Sequence, residues 1–282
     1  MNLLFVRHLT VIDFSFLHPL RGLVGESWIV DVELEGELND QGMVFDFGHV
    51  KQVLKRGIDQ FIDHKLVVPS QLPGLVVEEE SGLVQLQLAL PQGEIRHTSP
   101  EQALALLNIA EVTPEQIAPV LASYLKGLLP ENVRQVHLQL RPEIIEGAYY
   151  QYSHGLKKHD GNCQRIAHGH RSRIEILKDG VRSPELERQW ADAWRDIYIA
   201  TAEDQAALVT VNGIEHLEFR YQANQGSFYL RLPREQVYMI DTDSTVEWIA
   251  QHIAQTLKKQ APDSQFLVRA YEGVDKGSIA IA

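Results

Sequence analysis

Residues 151–173 hold the side chains with the clearest capacity for metal chemistry. His168 and His170 are separated by one residue, so on an extended strand both imidazoles leave by the same face and can bind one ion. His154, on a preceding strand, supplies a third ligand. Three neutral imidazoles that leave a fourth position open are typical of a catalytic rather than a structural zinc site. Cys163, the only cysteine of the chain, is then a nearby thiol that need not be a ligand.

The same residues also have simpler explanations. A His-x-His pair on a strand is often a surface feature, and a lone cysteine is often a small buried residue. The position of Cys163 between the histidines favours a functional site. Cationic side chains crowd the same stretch, and they suit either an anionic ligand or a solvent-exposed strand face. These cations are Lys157, Lys158, Arg165, Arg171 and Arg173.

Composition and charge restrict the class of protein. The chain has 282 residues, of which 44% are hydrophobic and 23% charged, as in an ordinary globular protein of two domains. A formal net charge of −12 argues against nucleic acid or a membrane as the main partner, because both require a basic surface. One cysteine permits no intramolecular disulfide, and no apolar run reaches the length of a membrane span. The N-terminus carries charge too early for a secretory signal, so we expect a cytoplasmic protein.

Hydrophobic periodicity places these residues on an α+β scaffold. Val30, Val32 and Leu34 alternate with acidic residues, as in a half-buried antiparallel strand. Thr113 and Gln116 have the spacing of a capping box at a helix start. The first half therefore predicts strands at 3–18 and 30–35, a helix at 46–61, a hairpin within 68–95, a helix at 113–129 and a strand from 133.

The second half repeats the order of the first. The segment TPEQIA, from Thr113, matches TVEWIA, from Thr245, and a predicted strand follows each. Such self-similarity indicates duplication of one β-β-α-(hairpin)-α-β-β unit, with domains at 1–145 and 146–282. The predicted elements are strands at 148–153 and 173–177, a helix at 184–199, strands within 208–239, a helix after Ser244 and two terminal strands.

Four groups of residues resemble motifs of the 6-pyruvoyltetrahydropterin synthase family, which includes 6-carboxytetrahydropterin synthase and has the tunnelling fold (T-fold). The segment YQYSHGL, then Cys163 and HGH, resembles the zinc histidines and catalytic cysteine of that family. GMVFDF and IDHKL of the first half resemble its helix start and its Asp-His pair. The T-x-E-x-I-A helix start occurs in both halves, and YEGVDKGSI resembles the terminal hairpin.

The resemblance implies two tandem T-fold units, with antiparallel sheets and helices packed on one face. It implies Zn²⁺ held by the three histidines, with Cys163, Asp63 and His64 as catalytic residues. Glu272 is expected to hold the pterin ring. On their own residues, Asp63 and His64 are equally compatible with a charged helix end, and Glu272 with a solvent-facing strand position.

Departures from the family pattern are unevenly divided between the halves. Val24-Gly25-Glu26 stands where the first half should have His-Gly-His, and that half has no cysteine. In the second half residues 203–208 stand where the Asp-His pair is expected, with Gln205 in place of the histidine, and a glutamine amide is not an acid or base at neutral pH. We therefore expect one composite site and one zinc per chain. The halves that form it could meet within one chain or across a dimer.

The resemblance also implies a reaction. The substrate is 7,8-dihydroneopterin triphosphate, and a lyase acts on it by proton abstraction and triphosphate elimination toward a carboxy- or pyruvoyl-tetrahydropterin, in queuosine or biopterin synthesis. Zinc acts as Lewis acid, and the thiolate of Cys163 moves a side-chain proton, favoured by nearby cations. His64, oriented by Asp63, is the second acid or base. We add from the charges that Arg165, Lys157 and Lys158 hold the triphosphate.

Other functions fit parts of the same pattern. One is a non-catalytic pterin-binding or assembly protein that keeps a structural zinc, and another is a T-fold enzyme of a purine or different pterin step. Each interpretation expects a small-molecule partner rather than nucleic acid or membrane. A homo-oligomer, either a dimer or a larger ring, is expected because closing a barrel of such units removes open sheet edges.

Overall fold

The computed structural model describes residues 2–282, which form two halves of similar element order. The first half contains β1 (Asn2–His18), β2 (Gly22–Gly36), α1 (Phe47–Phe61), β3 (Leu66–Pro69), β4 (Leu75–Glu80), β5 (Leu83–Leu90), β6 (Gly93–Pro100), β7 (Leu104–Leu107), α2 (Pro114–Lys126) and β8 (Val133–Pro142). The second contains β9 (Tyr149–His154), β10 (His168–Lys178), β11 (Val181–Arg182), α3 (Pro184–Ala193), β12 (Arg195–Thr201), β13 (Gln205–Val211), β14 (Ile214–Ala223), β15 (Gly226–Pro233), β16 (Val237–Ile240), α4 (Val246–Gln260), β17 (Phe266–Tyr271) and β18 (Gly277–Ile281).

Each half builds one central sheet from a long hairpin and covers it with two helices. The strand order is β7-β3-β1-β2-β8 in the first half, and β16-β12-β9-β10-β17-β18 in the second, where β11 also pairs with β10. Apolar side chains of the helices, such as Leu54 and Leu121 in the first half and Ile253 in the second, lie in two separate cores under these sheets. The α+β class and the duplication are therefore confirmed.

The predicted antiparallel pairing holds for the long hairpins but not for every strand. The strands β3 and β7 join the first sheet in parallel, and β12 and β16 do the same in the second. A helix or an inserted hairpin lies between each of these strands and its parallel neighbour, which gives the chain the length that a parallel crossover requires.

The two predicted helix starts are capped as their sequences indicate. Thr113 Oγ1 accepts a hydrogen bond from Gln116 N, and Thr245 accepts one from Trp248 N. The predicted helix at 184–199 is too long, because α3 ends at Ala193 and β12 begins at Arg195. None of the helices within residues 2–282 is both long enough and apolar enough to cross a membrane.

The inserted hairpins of the two halves combine into one sheet. Its order is β13-β14-β15-β6-β5-β4, so three strands come from each half. The halves join where β15 pairs with β6, and Leu230 lies opposite His97 at the centre of that pairing. Sequence analysis predicted a hairpin of two strands in each insertion; the structure has three strands in each, and their pairing connects the halves.

The two central hairpins also pack directly against each other through glycines. The ideal Cβ position of Gly25 lies 1.9 Å from Tyr152 O, and that of Gly169 lies 2.6 Å from Gly25 Cα. Beside them Ser15 Oγ and Ser153 Oγ share a buried hydrogen bond of 2.7 Å. Only glycine permits this approach, because any side chain here would overlap backbone atoms of the other half.

We expect Gly25→Ala to destabilise the protein by roughly 3 kcal/mol or more, since the added methyl group forces the two backbones apart. Urea denaturation followed by circular dichroism measures this loss. Gly48→Ala is the control, because its Cβ meets only the Asp46 side chain, at 3.2 Å. A Gly25→Ala midpoint equal to that of the wild type would contradict the packing of the halves through these glycines.

Candidate metal and acid–base site

The three predicted metal ligands come together at the paired ends of β9 and β10. His154 lies directly opposite His168 in the register, and His170 is two residues further along β10. All three imidazoles are at most 1% exposed, and one ligand nitrogen from each lies within 4.8 Å of the others. The expected strand geometry therefore brings the triad together.

Hydrogen bonds to backbone orient two of these rings. His154 Nδ1 donates to Ser244 O at 2.9 Å, and His168 Nδ1 donates to Arg165 O at 3.1 Å. Burial, together with the neighbouring imidazoles, lowers the pKa of both histidines well below 6.5, so both are neutral.

The free nitrogens of the triad fit a metal ion. The Nε2 atoms of His154, His168 and His170 are buried and have no hydrogen-bond partner among residues 2–282. Buried polar atoms without partners are costly, and a metal ion would satisfy all three at once. An imidazole that donates its other nitrogen to a carbonyl is also the usual arrangement around bound metals.

Asp13 of the first half supports the third ligand, and sequence analysis missed it. Its Oδ1 lies 3.2 Å from His170 Nδ1 and accepts a hydrogen bond of 2.5 Å from Ser27 Oγ, while Oδ2 is 2.9 Å from Lys276 Nζ. Burial alone would raise the pKa of Asp13, but His170 and Lys276 hold it below the ordinary range. The signal in the sequence was a single carboxylate within the apolar strand segment VIDFSF.

Asp63 and His64 lie in the turn that follows α1, next to the triad. Asp63 Oδ1 accepts from Asp13 N at 2.8 Å, and Asp63 Oδ2 lies 2.5 Å from His64 Nδ1. The His64 ring centroid is 5.3 Å from that of His168 and 6.5 Å from that of His170. A first-half pair and a second-half triad thus lie side by side within one chain.

Cys163 lies in the loop between β9 and β10, half-buried beside His64. Burial disfavours the imidazolium, but hydrogen bonds to Asp63 and to the Cys163 side chain raise the pKa of His64 to about 10. Because Nδ1 of His64 faces Asp63, the other ring nitrogen is the one available to the thiol. The arrangement links carboxylate, imidazole and thiol, which are groups that can move a proton.

The structure places Glu272 beside the triad, just after β17, with Oε1 4.0 Å from His170 Nε2. Its side chain is 25% exposed, so it borders the site without being enclosed by it. The main chain is fixed by a hydrogen bond of 3.0 Å from Glu272 N to Lys276 O.

The three predicted triphosphate ligands are already engaged with the protein. Lys157 Nζ lies 2.7 Å from Glu203 and 2.6 Å from Asp204, and Lys158 Nζ lies 3.1 Å from Asp243. Arg165 is 5% exposed, and its Nη1 donates to a backbone carbonyl of the first half. A triphosphate would have to compete with these partners for each cation.

The strand registers identify which first-half residues correspond to the triad. Ser15 pairs with Gly25 across β1 and β2, as Ser153 pairs with Gly169 across β9 and β10. Counting from these pairs, every ligand position is replaced in the first half. Phe16 corresponds to His154, Val24 to His168, Glu26 to His170 and, through the registers of β8 and β17, Pro142 to Glu272.

The second-half counterpart of His64 is Asp196. Leu66 pairs with Ser15, and Tyr198 pairs with the matching Ser153. His64 lies two residues before Leu66, and Asp196 lies two residues before Tyr198. Both have a left-handed backbone, with φ of 53° and 54°. The expectation that Gln205 replaces the histidine is wrong, because Gln205 begins the inserted strand β13.

A cavity of about 370 Å³ lies where the first half would have its own histidine triad, and its lining includes Phe16, Glu26 and Trp28. Glu26 Oε2 accepts a hydrogen bond of 3.1 Å from Gln151 Nε2. Burial raises the pKa of this carboxyl group to about 7. The positions that match the three imidazoles of the second half thus hold one aromatic ring, one aliphatic side chain and one acid, namely Phe16, Val24 and Glu26.

Comparison with known proteins agrees with this duplicated architecture. The model of the family described as 6-pyruvoyl tetrahydropterin synthase matches the chain twice, at residues 13–146 and 143–280. The two matches together span nearly all of the chain, so it belongs to the 6-pyruvoyl tetrahydropterin synthase family as a tandem duplication. The resemblance inferred from the sequence motifs, and the T-fold class with it, is confirmed.

Similar individual proteins each match about half of the chain. A Pyrococcus abyssi protein provisionally named 6-carboxy-5,6,7,8-tetrahydropterin synthase is 28% identical over 134 residues, which are 46% of this chain and 74% of that protein. A Pyrococcus horikoshii protein of the same name is 26% identical over 133 residues, with the same 46% and 74% coverage. The crystal structure of 6-pyruvoyl tetrahydropterin synthase from Plasmodium vivax aligns with a TM-score of 0.38 and 17% identity, over 50% of this chain and 97% of that one.

We expect Glu26→Gln to change how stability depends on pH. The folded carboxyl group titrates near 7 rather than at 4.5, so the native state binds more protons than the unfolded state between these values. Wild-type stability should therefore fall as pH rises from about 4.5 to 7, by roughly 1–2 kcal/mol after allowance for solvent access.

The amide variant lacks this titration and should be the more stable protein at pH 8, with the difference shrinking toward pH 5. Urea unfolding at both pH values measures the effect, and Glu78→Gln on the exposed strand β4 is the control. Parallel pH profiles for wild type and Glu26→Gln would contradict the burial of an acid at this position.

Proposed function

We propose that this chain is a zinc-dependent lyase that acts on 7,8-dihydroneopterin triphosphate to form a carboxy- or pyruvoyl-tetrahydropterin. The observation that carries the proposal is the meeting, within one chain, of the first-half Asp63–His64 pair with Cys163 and the histidine triad. Membership of a tetrahydropterin synthase family supports the substrate class. The names of the Pyrococcus relatives support the carboxy product.

The donor set favours zinc as the metal. His154, His168 and His170 would hold the ion through Nε2, and three imidazoles with an open position suit a catalytic zinc. When bound, zinc supplies Lewis acidity toward the hydroxyl groups of the substrate side chain. Asp13 would fix the orientation of the His170 ring, which is the role of a carboxylate behind a ligand imidazole.

Residues around the triad would transfer protons and hold the pterin ring. Cys163 removes a proton from the substrate side chain, with the His64 imidazole beside it. His64 is held in one orientation by Asp63 and is the acid or base on the other side of the transfer. Glu272 accepts hydrogen bonds from the pterin N–H groups and fixes the ring beside His170.

The anionic tail of the substrate needs cations, and the candidates remain Lys157, Lys158 and Arg165. Lys158 is the most exposed of these and is the one best able to exchange a carboxylate for a phosphate. Arg165 is buried against the backbone of the first half, which favours a supporting role. The triphosphate role of all three stays a prediction.

The open edges of the central sheets bear on how the chain assembles. Both central sheets end in strands with one unpaired side within residues 2–282, namely β7 and β8 in one and β16 and β18 in the other. Open edges of this kind favour pairing with further copies, so we propose a homo-oligomer. The domain boundary at 145/146 and the cytoplasmic location stay predictions.

A non-catalytic pterin-binding protein is the alternative. It would need the triad and Glu272 but would have no requirement for an oriented carboxylate–imidazole–thiol series. Because Asp63 orients His64 through a hydrogen bond and Cys163 lies beside that imidazole, we favour the enzyme. An enzyme of another pterin or purine step would be identified by the product.

We expect one zinc per chain, because only the second half has the ligands, and we expect His168→Ala to lose it. Elemental analysis of purified protein measures the content, with the exposed His49→Ala variant as control. Two zinc ions per chain, or none in the wild type, would contradict the assignment of the site to the second half.

Incubation with 7,8-dihydroneopterin triphosphate, followed by mass spectrometry of the product, tests the reaction. Turnover should fall about 10²- to 10⁴-fold in Cys163→Ala and in His64→Ala, because each removes a group that transfers a proton. His49→Ala, on the helix that precedes His64, should retain activity. Full turnover in His64→Ala would rule out the composite site, and an unchanged substrate with the wild type would rule out the reaction.

A further inference from the structure

The turn between β14 and β15 reaches the loop that carries Cys163. Gln225 in this turn makes three hydrogen bonds to that loop, and the residues it contacts lie on both sides of the cysteine. Gln225 Nε2 donates to Asn162 Oδ1 at 2.8 Å, and Gln225 N donates to Gln164 Oε1 at 2.6 Å. Gln225 Oε1 accepts from Arg165 Nε at 2.9 Å.

Arg165 carries this connection into the first half. Its Nη1 donates to His64 O at 3.2 Å, so one guanidinium bonds both the inserted turn and the acid–base pair. His64 has φ of 53°, a left-handed conformation that is unfavourable for a residue with a side chain. Its peptide is held from the other side by the hydrogen bond of 2.7 Å from His64 N to Asp13 O.

The inserted turn is itself held by both halves. Gln102 Nε2 of the first half donates to Gln225 O at 3.3 Å, and the ideal Cβ of Gly226 would lie 2.6 Å from Pro100. Tyr221, on the same hairpin, donates from its hydroxyl group to Gln164 O at 2.8 Å. The turn is therefore a fixed support.

We propose that Gln225 is a positioning residue that sets Cys163 and His64 at their working separation. Its amide group fixes the cysteine loop through Asn162 and fixes the His64 backbone through Arg165. This inference rests on the proposed function for its catalytic consequence, but its structural consequence is independent of any substrate. It also gives the second inserted hairpin a role at the composite site.

The first test is a kinetic comparison of Gln225 variants. Gln225→Ala should lower kcat on the order of tenfold with KM changed less than about twofold, because misplaced catalytic groups lose rate rather than affinity. Gln225→Glu should recover most of the rate, since a carboxylate accepts from Arg165 and, after rotation of the Asn162 amide, from Asn162. Gln222→Ala is the matched control, because Gln222 lies in the same hairpin and bonds only within it.

Hydrogen exchange followed by mass spectrometry is the second test and requires no substrate. In Gln225→Ala, exchange should rise several-fold at 155–167 and also at 62–66, although the second segment is in the other half and does not bond to Gln225. Gln222→Ala should leave both segments unchanged. If Gln225→Ala fails to fold, Gln225→Met, which keeps the side-chain volume, is measured in the same way.

The outcomes separate the two proposals. Wild-type kcat in Gln225→Ala, or faster exchange confined to 155–167, would overturn the positioning role. A wild-type protein without turnover would overturn the proposed function, while the exchange at 62–66 would still decide whether Gln225 acts on the His64 segment.

Discussion

The buried residue Asp13 connects the first-half acid–base pair with the second-half histidine triad. Its side chain faces His170 and Lys276 of the second half, while its backbone N and O bond the side chain of Asp63 and the backbone of His64. A charge that is 2% exposed is stable only with such partners, so its neutralisation requires the two halves to be assembled. The folding of the chain and the geometry of the site therefore depend on the same interaction.

Duplication explains how the two halves can differ while the fold remains the same. Where the two central hairpins pack together, both halves have the same residues. Gly25 and Ser15 of the first half face Gly169 and Ser153 of the second, because the close backbone packing needs the same residues on each side. The ligand positions are free of that constraint, and the first half has Phe16, Val24 and Glu26 there. Asp196, the counterpart of His64, forms an ion pair with Arg21 instead. The second half thus has the three histidines, and the first half has the Asp63–His64 pair.

Sequence alone predicted the features that depend on local spacing. The i, i+2 histidines and the capped helix starts follow from residues close together in the chain, and the internal repeat follows from comparing two short segments of it. The helix at 184–199 was predicted too long because Trp190, Trp194 and Ile197 keep helical spacing, although the chain leaves the helix at Trp194 and is extended from Arg195. The role of Asp13, the true counterpart of His64 and the pairing of β6 with β15 depend on contacts between distant segments. No local pattern encodes them.

The joint six-stranded sheet has a consequence for how the chain acquires its fold. Strand β6 is synthesised more than a hundred residues before its neighbour β15, so its hydrogen-bonding edge has no partner while the second half is being made. Pairings of such large sequence separation form slowly, and an open edge invites association with other chains in the meantime. Domain-by-domain folding during synthesis, which would suit two independent units, leaves this protein incomplete until the last strands of the second half are available. Its most vulnerable period is therefore before the chain is finished.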